Sequence, residues 1–116
     1  MNTKHLIIVL TISLIFVRIA DAHAFLDHAE PKVGSTIHES PPQVTVWMTE
    51  NLEPAFSKLQ VFDAKGTQVD NKDSKVNGST MTVSPPKLAP GKYRISWQAV
   101  AVDTHRTSGT FDFTIQ

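Results

Sequence analysis

The residues with the most distinctive chemistry lie where an export signal would be cut from the chain. Ala20-Asp21-Ala22 supplies the small residues of a cleavage site, and His23 follows directly. Cleavage after Ala22 would make His23 the N-terminal residue, with a free α-amine beside its imidazole. The amine nitrogen and the ring Nδ1 can chelate one metal ion, which an internal histidine cannot do without losing its amide proton. Processing would therefore create a metal-binding group.

Residues 1–22 have the three parts of a secretory signal peptide. Lys4 gives a positive start, and the apolar core from Leu6 to Val17 is shorter than the roughly 20 residues of a membrane-spanning helix. Arg18, just after the core, is atypical, and a retained N-terminal anchor is the alternative. We predict a cleaved signal over residues 1–22 and a single domain over residues 23–116. The processed protein would be periplasmic and would not span a membrane.

The composition excludes several classes of protein. The chain has 11 basic and 11 acidic residues and no polybasic run, which argues against a nucleic-acid partner. It contains no cysteine, although small exported domains often depend on disulfides. Zinc sites with thiolate ligands, iron–sulfur clusters and blue-copper centres are therefore excluded, because each of them needs cysteine.

Short apolar runs separated by proline and glycine predict an all-β domain. No window shows a convincing helical period. Six or seven strands in a domain of this size are typical of an immunoglobulin-like Greek-key β-sandwich, and a closed barrel is the alternative. The clearest strand candidates are Val44–Thr49, Lys58–Phe62, Thr80–Val83, Lys92–Val102 and Thr110–Ile115.

The strongest local candidate for a site is Asp103-Thr104-His105, between the last two predicted strands. In an extended backbone, residues i and i+2 project to the same side, so Asp103 and His105 could address one point. The alternative is a polar turn in which Asp103 accepts hydrogen bonds from backbone amides. Together with an N-terminal His23, the pair would offer three nitrogens and one oxygen. Nitrogen-rich tetragonal sites of this kind favour Cu(II).

A series of short motifs runs in order along the predicted domain. They are His23–Leu26, Ala29–Pro31, Gly34-Ser35, Glu53–Phe56, Leu88–Gly91 with Tyr93, Ser96-Trp97, Asp103–His105 and Ser108–Phe111. Their order and spacing resemble those of the CopC-type periplasmic copper-binding proteins. The resemblance implies a seven-stranded cupredoxin-like sandwich that binds one Cu(II) ion per chain. It also implies the ligands: His23 through its amine and ring, Asp103 and His105.

The chain departs from this family at identifiable positions. The family commonly has Asp-Gly-His, and Thr104 in place of the glycine would stiffen or tilt the loop. The methionine-rich Cu(I) segment of some members is absent, and Met48 and Met81 are expected to pack in the core. Glu50 is similar in position to an acidic residue near the Cu(II) site of some members. It is a candidate ligand or hydrogen-bond partner of a ligand, and an ordinary strand-end carboxylate is the alternative.

The remaining histidines and the aromatic residues are expected to be structural. His28 and His38 do not match the family's ligand positions, and we expect an exposed strand residue and a solvated loop residue. The large aromatic side chains should form the core of a domain that has no disulfide; these are Trp47, Trp97, Phe56, Phe111 and Phe113.

These features together predict a Cu(II)-binding protein of copper homeostasis or resistance that buffers, sequesters or delivers copper and is not an enzyme. Its partners would be the copper ion and an inner-membrane copper transporter or another periplasmic copper protein. One alternative is a histidine-brace copper monooxygenase, which also uses an N-terminal histidine. Against it, Asp103 would fill the coordination plane and few aromatic residues remain to bind a polysaccharide. The other alternative is a metal-free immunoglobulin-like interaction module, favoured if His23 is internal or blocked.

Overall fold

Eight β-strands and one short 3-10 helix make up residues 24–116, the part of the chain that this computed structural model describes. The predicted signal peptide and His23 lie outside the described residues. Within residues 24–116, no helix is long and apolar enough to cross a membrane. The strands are β1 (Leu26–Glu30), β2 (Thr36–Ile37), β3 (Val44–Met48), β4 (Lys58–Phe62), β5 (Lys75–Asn77), β6 (Thr80–Val83), β7 (Gly91–Val100) and β8 (Arg106–Ile115), and the 3-10 helix is Pro54–Phe56.

The strands form two four-stranded sheets, with the orders β1-β3-β6-β5 and β2-β8-β7-β4. All pairs are antiparallel except β2 and β8, which are parallel. The predicted β-sandwich is confirmed. The described residues contain eight strands rather than about seven, because the two residues of β2 are too few to show an alternating pattern.

The core between the sheets follows from the alternation of side chains along each strand. Val44, Val46 and Met48 of β3 are buried, and the residues between them are turned outward. Residues of β4, β6, β7 and β8 complete the core, with Leu59, Met81, Ile95 and Phe113 among its most deeply buried large side chains. This packing holds the two sheets together without a disulfide.

Two of the five aromatic residues predicted to be in the core are not there. Trp47 alternates with the buried residues of β3 and lies half-buried on the outer face of the sheet. Its ring stacks on His28, with ring centroids 4.3 Å apart. Phe56, at the end of the 3-10 helix, is 62% exposed. The prediction is correct for Trp97, Phe111 and Phe113, which are buried.

The long hairpin of β7 and β8 depends on one glycine. Gly109 lies opposite Trp97 in the register of the two strands. A Cβ at position 109 would lie 2.5 Å from Cζ2 of the Trp97 indole, so the ring occupies the space that a side chain would need. β8 begins at Arg106 rather than at the predicted Thr110, since its first residues are polar and owe their strand conformation to pairing with β7. This hairpin carries the Asp103–His105 segment in its loop.

Candidate metal centre

The loop between β7 and β8 has the hydrogen bonds of a three-residue hairpin loop. The Ala101 amide donates to the His105 carbonyl (3.0 Å), and the Thr104 amide donates to the Ala101 carbonyl (2.8 Å). The last loop residue of such a turn takes a left-handed conformation, which glycine adopts most easily. Thr104 has a φ of 78° and fills this position. This chain therefore has a β-branched residue at a loop position whose conformation glycine would adopt with less strain.

The loop brings Asp103 and His105 into contact. Oδ1 of Asp103 accepts a hydrogen bond from the His105 amide (3.2 Å), and its Oδ2 lies 3.0 Å from His105 Nδ1. Asp103 therefore accepts a hydrogen bond from a backbone amide, as expected for a polar turn, and also contacts the imidazole of His105. Both side chains are accessible to solvent, with 33% of Asp103 and 56% of His105 exposed.

The distance between these two groups fits two ways of holding a metal. Two donors at adjacent corners of a square-planar site, with bonds of about 2.0 Å, lie about 2.8 Å apart. The 3.0 Å between Oδ2 and Nδ1 is close to that separation. Alternatively, with a proton on Nδ1, Asp103 accepts a hydrogen bond from the ring and leaves Nε2 for the metal, as is common for metal-bound histidines.

The segment just after His23 is attached to both sheets at this end of the sandwich. Ala24 is fully buried, and its carbonyl accepts a hydrogen bond from the hydroxyl of Thr107, in β8. The Phe25 amide donates to Oγ1 of Thr49 (2.9 Å), and the Thr49 amide donates to the Phe25 carbonyl (2.8 Å). Thr49 directly follows β3, in the other sheet. The sequence analysis did not identify either threonine as a contact of this segment. Their neighbouring residues carry no signal of a partner so far away in the sequence.

Glu50 lies in an exposed stretch between these contacts and the Asp103–His105 loop. The next residues pair with the end of β7 and its loop: the Val102 amide donates to the Asn51 carbonyl (3.2 Å), and the Glu53 amide donates to the Val100 carbonyl (2.8 Å). The backbone of Glu50 is therefore held at the end of the sandwich that carries the Asp103–His105 loop. Within residues 24–116, no three His, Cys, Asp or Glu side chains come together as a metal-binding group.

The two other histidines of the described residues have contacts of their own. His28 is exposed on β1, with its Nδ1 2.6 Å from Oδ2 of Asp27 and its ring against Trp47. His38 is exposed in the loop after β2, beside a proline-lined groove at the end of the sandwich where β3 begins and β8 ends. The Asp103–His105 loop is at the opposite end, where β7 ends and β8 begins.

Comparison with known proteins places the chain in a family. The profile of the CopC domain matches residues 26–116. Copper resistance protein C of Escherichia coli is 31% identical in an alignment 107 positions long, and the match covers 84% of this chain and 84% of that protein. Protein YobA of E. coli strain K12 is 27% identical in an alignment 119 positions long, and the match covers 99% of this chain and 95% of that protein.

A solved structure agrees with this assignment. The crystal structure of PcoC, a methionine-rich copper resistance protein from E. coli, matches with a TM-score of 0.71 and 27% identity, over 81% of this chain and 99% of PcoC. The match of the domain profile to residues 26–116 and the similar structure lead to one conclusion: the chain belongs to the CopC family.

Proposed function

We propose that this chain is an exported copper-binding protein that holds one Cu(II) ion in copper homeostasis or resistance. The ligands would be the amine and ring of processed His23, together with Asp103 and His105. Membership of the CopC family and the copper resistance proteins within it support the choice of metal. The observation that carries the site is the attachment of Ala24 to Thr107, two residues beyond His105.

This attachment limits how far His23 can lie from the other two ligands. Consecutive Cα atoms are about 3.8 Å apart, so residue 23 starts next to the buried Ala24. Thr107 and His105 are two positions apart along one chain, on the order of 7 Å in extended backbone. An N-terminal amine and imidazole attached at this point have the reach to join Asp103 and His105 on one ion.

The available donors favour Cu(II) over Cu(I). Amine, imidazole and carboxylate groups suit Cu(II), whereas Cu(I) prefers thiolate and thioether sulfur. The chain has no cysteine, and Met48 and Met81 are buried in the core. Reduction of the loaded protein should therefore release copper to a modest Cu(I) chelator.

The site supports binding rather than catalysis. As a ligand, Asp103 would take one of the positions that a copper oxygenase keeps open for oxygen. Tyr93 is buried and donates its hydroxyl hydrogen bond to the Ala89 carbonyl (2.6 Å), so it does not face the site. We propose that the protein buffers, sequesters or delivers copper in the periplasm, to or from an inner-membrane transporter or another periplasmic copper protein.

The test compares the processed protein, beginning at His23, with the same protein acetylated at its N-terminus. Acetylation converts the amine into an amide and adds no new nitrogen donor, so Cu(II) affinity should fall and the electron paramagnetic resonance spectrum should change. Equal affinity and an unchanged spectrum would refute the amine ligand.

The histidine ligands are tested by two matched variants. His105→Ala should weaken Cu(II) binding strongly, whereas His38→Ala, at the opposite end of the sandwich, should bind as wild type does. Glu50→Gln in the same titration decides whether that carboxylate contributes. Weaker binding in His38→Ala with unchanged binding in His105→Ala would overturn the site.

A further inference from the structure

We propose that Thr107 is a positioning residue for the copper site: its hydroxyl holds the Ala24 carbonyl and thereby sets where the N-terminal amine and imidazole lie. The inference rests on the proposed function and extends it to a residue that does not itself bind the metal. Its basis is the hydrogen bond from Oγ1 of Thr107 to the Ala24 carbonyl, between residues 83 positions apart in sequence.

The position of Thr107 in the hairpin gives this bond its significance. Thr107 pairs with Ala99, and only one further residue pair separates it from the loop that holds Asp103 and His105. The hairpin that presents two of the proposed ligands therefore also holds the residue next to the third. Any shift of the loop with β8 would carry Ala24 with it, so the distances among the ligands would be preserved.

The backbone hydrogen bonds of Phe25 attach the segment to the other sheet, through Thr49. The methyl group of Ala24 packs in the core but provides no directional contact. The hydroxyl of Thr107 adds a directional bond that joins Ala24 to the strand following His105. Without it, the first residues of the processed chain could rotate about the Thr49 attachment.

A fixed N-terminus matters because a chelating residue must be ordered when it binds. Flexible groups lose conformational freedom on binding, and a preorganised site avoids part of that cost. The net value of one hydrogen bond corresponds to roughly a 3- to 10-fold change in an equilibrium constant. We expect a loss of Cu(II) affinity of that size when the hydroxyl is removed.

The experiment uses the processed protein and three variants. Thr107→Val removes the hydroxyl and keeps the shape, Thr107→Ser keeps the hydroxyl, and Thr110→Val removes an exposed hydroxyl from the same strand. Thr107→Val should bind Cu(II) roughly 3- to 10-fold more weakly, while the other two should bind as wild type does. Amide hydrogen exchange of the metal-free protein should become faster at Phe25 in Thr107→Val.

A second arm separates positioning from a general effect on the fold. When the N-terminus is acetylated, the amine ligand is gone and only the imidazole of His23 remains for Thr107 to position. Thr107→Val should then cause a smaller loss of Cu(II) affinity than it does in the unmodified protein. An equal loss in both backgrounds would overturn the positioning role, since it would show a structural effect that does not depend on the N-terminus.

The possible failures are distinguishable. If wild type binds Cu(II) through its amine and Thr107→Val binds equally well, the inference about Thr107 is wrong and the proposed function stands. If wild type binds no Cu(II), or binds it without its amine, the proposed function is overturned and the role of Thr107 falls with it.

Discussion

Replacing Thr104 with glycine should stabilise the protein, which is unusual for a substitution in a candidate site. Thr104 is the last residue of the loop between β7 and β8 and has a φ of 78°. This left-handed conformation brings the Cβ of an L-residue close to its own backbone, and a β-branched side chain makes the crowding worse. Glycine has no Cβ and takes the same conformation without this penalty.

The size of the effect follows from two opposing terms. The left-handed conformation costs an L-residue about 1–2 kcal/mol. Glycine also has more freedom in the unfolded chain, which offsets about 0.5–1 kcal/mol of the gain. The free energy of unfolding of Thr104→Gly should therefore rise by about 0–1.5 kcal/mol, with a central value of about 0.75 kcal/mol. For a domain of this size, the central value corresponds to an increase in Tm of roughly 3–6 °C.

The assay is thermal and urea denaturation of the metal-free processed protein, with Thr110→Gly as the control. Thr110 is an exposed residue in the middle of β8, paired with Ser96, where glycine weakens a strand. The two substitutions are chemically identical and should change Tm in opposite directions. If Thr104→Gly lowered Tm as Thr110→Gly does, the argument from backbone strain would be refuted.

Three further predictions concern other parts of the sandwich. Gly109→Ala should lower the free energy of unfolding by about 1–3 kcal/mol in urea denaturation, because the new methyl group would overlap the Trp97 ring; unchanged stability would contradict this packing. Hydrogen bonds from the backbone amide and the hydroxyl of Ser84 lower the pKa of Asp73 below its ordinary value of 3.8. The ionised carboxylate therefore stabilises the fold above pH 3.8, and this stabilisation is lost as the pH falls through the lowered pKa. Asp73→Asn should therefore be less stable than wild type at pH 7, with a difference that shrinks in denaturation curves measured below pH 3.8; a difference that stays constant would argue against it. His28→Ala should leave Cu(II) affinity unchanged and alter the fluorescence of Trp47, on which its ring stacks; a loss of affinity as large as that of His105→Ala would show that it belongs to the site.

The donor groups of the candidate site are visible in the local sequence. The small residues before His23 indicate where the chain would be cut, and the spacing of Asp103 and His105 places them on one side of an extended backbone. The structure brings Asp103 and His105 to 3.0 Å. His23 lies outside the described residues, so its part in the site stays a prediction.

The fold class was also predictable, because alternation along a strand is a local property. Val44, Val46 and Met48 show it within five residues of β3, and each is buried. The same alternation puts Trp47 on the outer face, and its size alone suggested the core wrongly. Residue type is a weaker guide than strand position when the two disagree.

The alternation along each strand, the turns between strands and the available donor groups all follow from local sequence. Which distant segments meet depends on how the two sheets pack. Thr107 holds the carbonyl of Ala24, and Thr49 pairs with Phe25, although nothing in the neighbouring residues marks these contacts. Threonine is common on strands, and its hydroxyl acquires a partner only when two sheets pack together and bring a carbonyl within reach. Local pattern therefore supplied the candidate ligands, and packing between the sheets supplied the residues that position them.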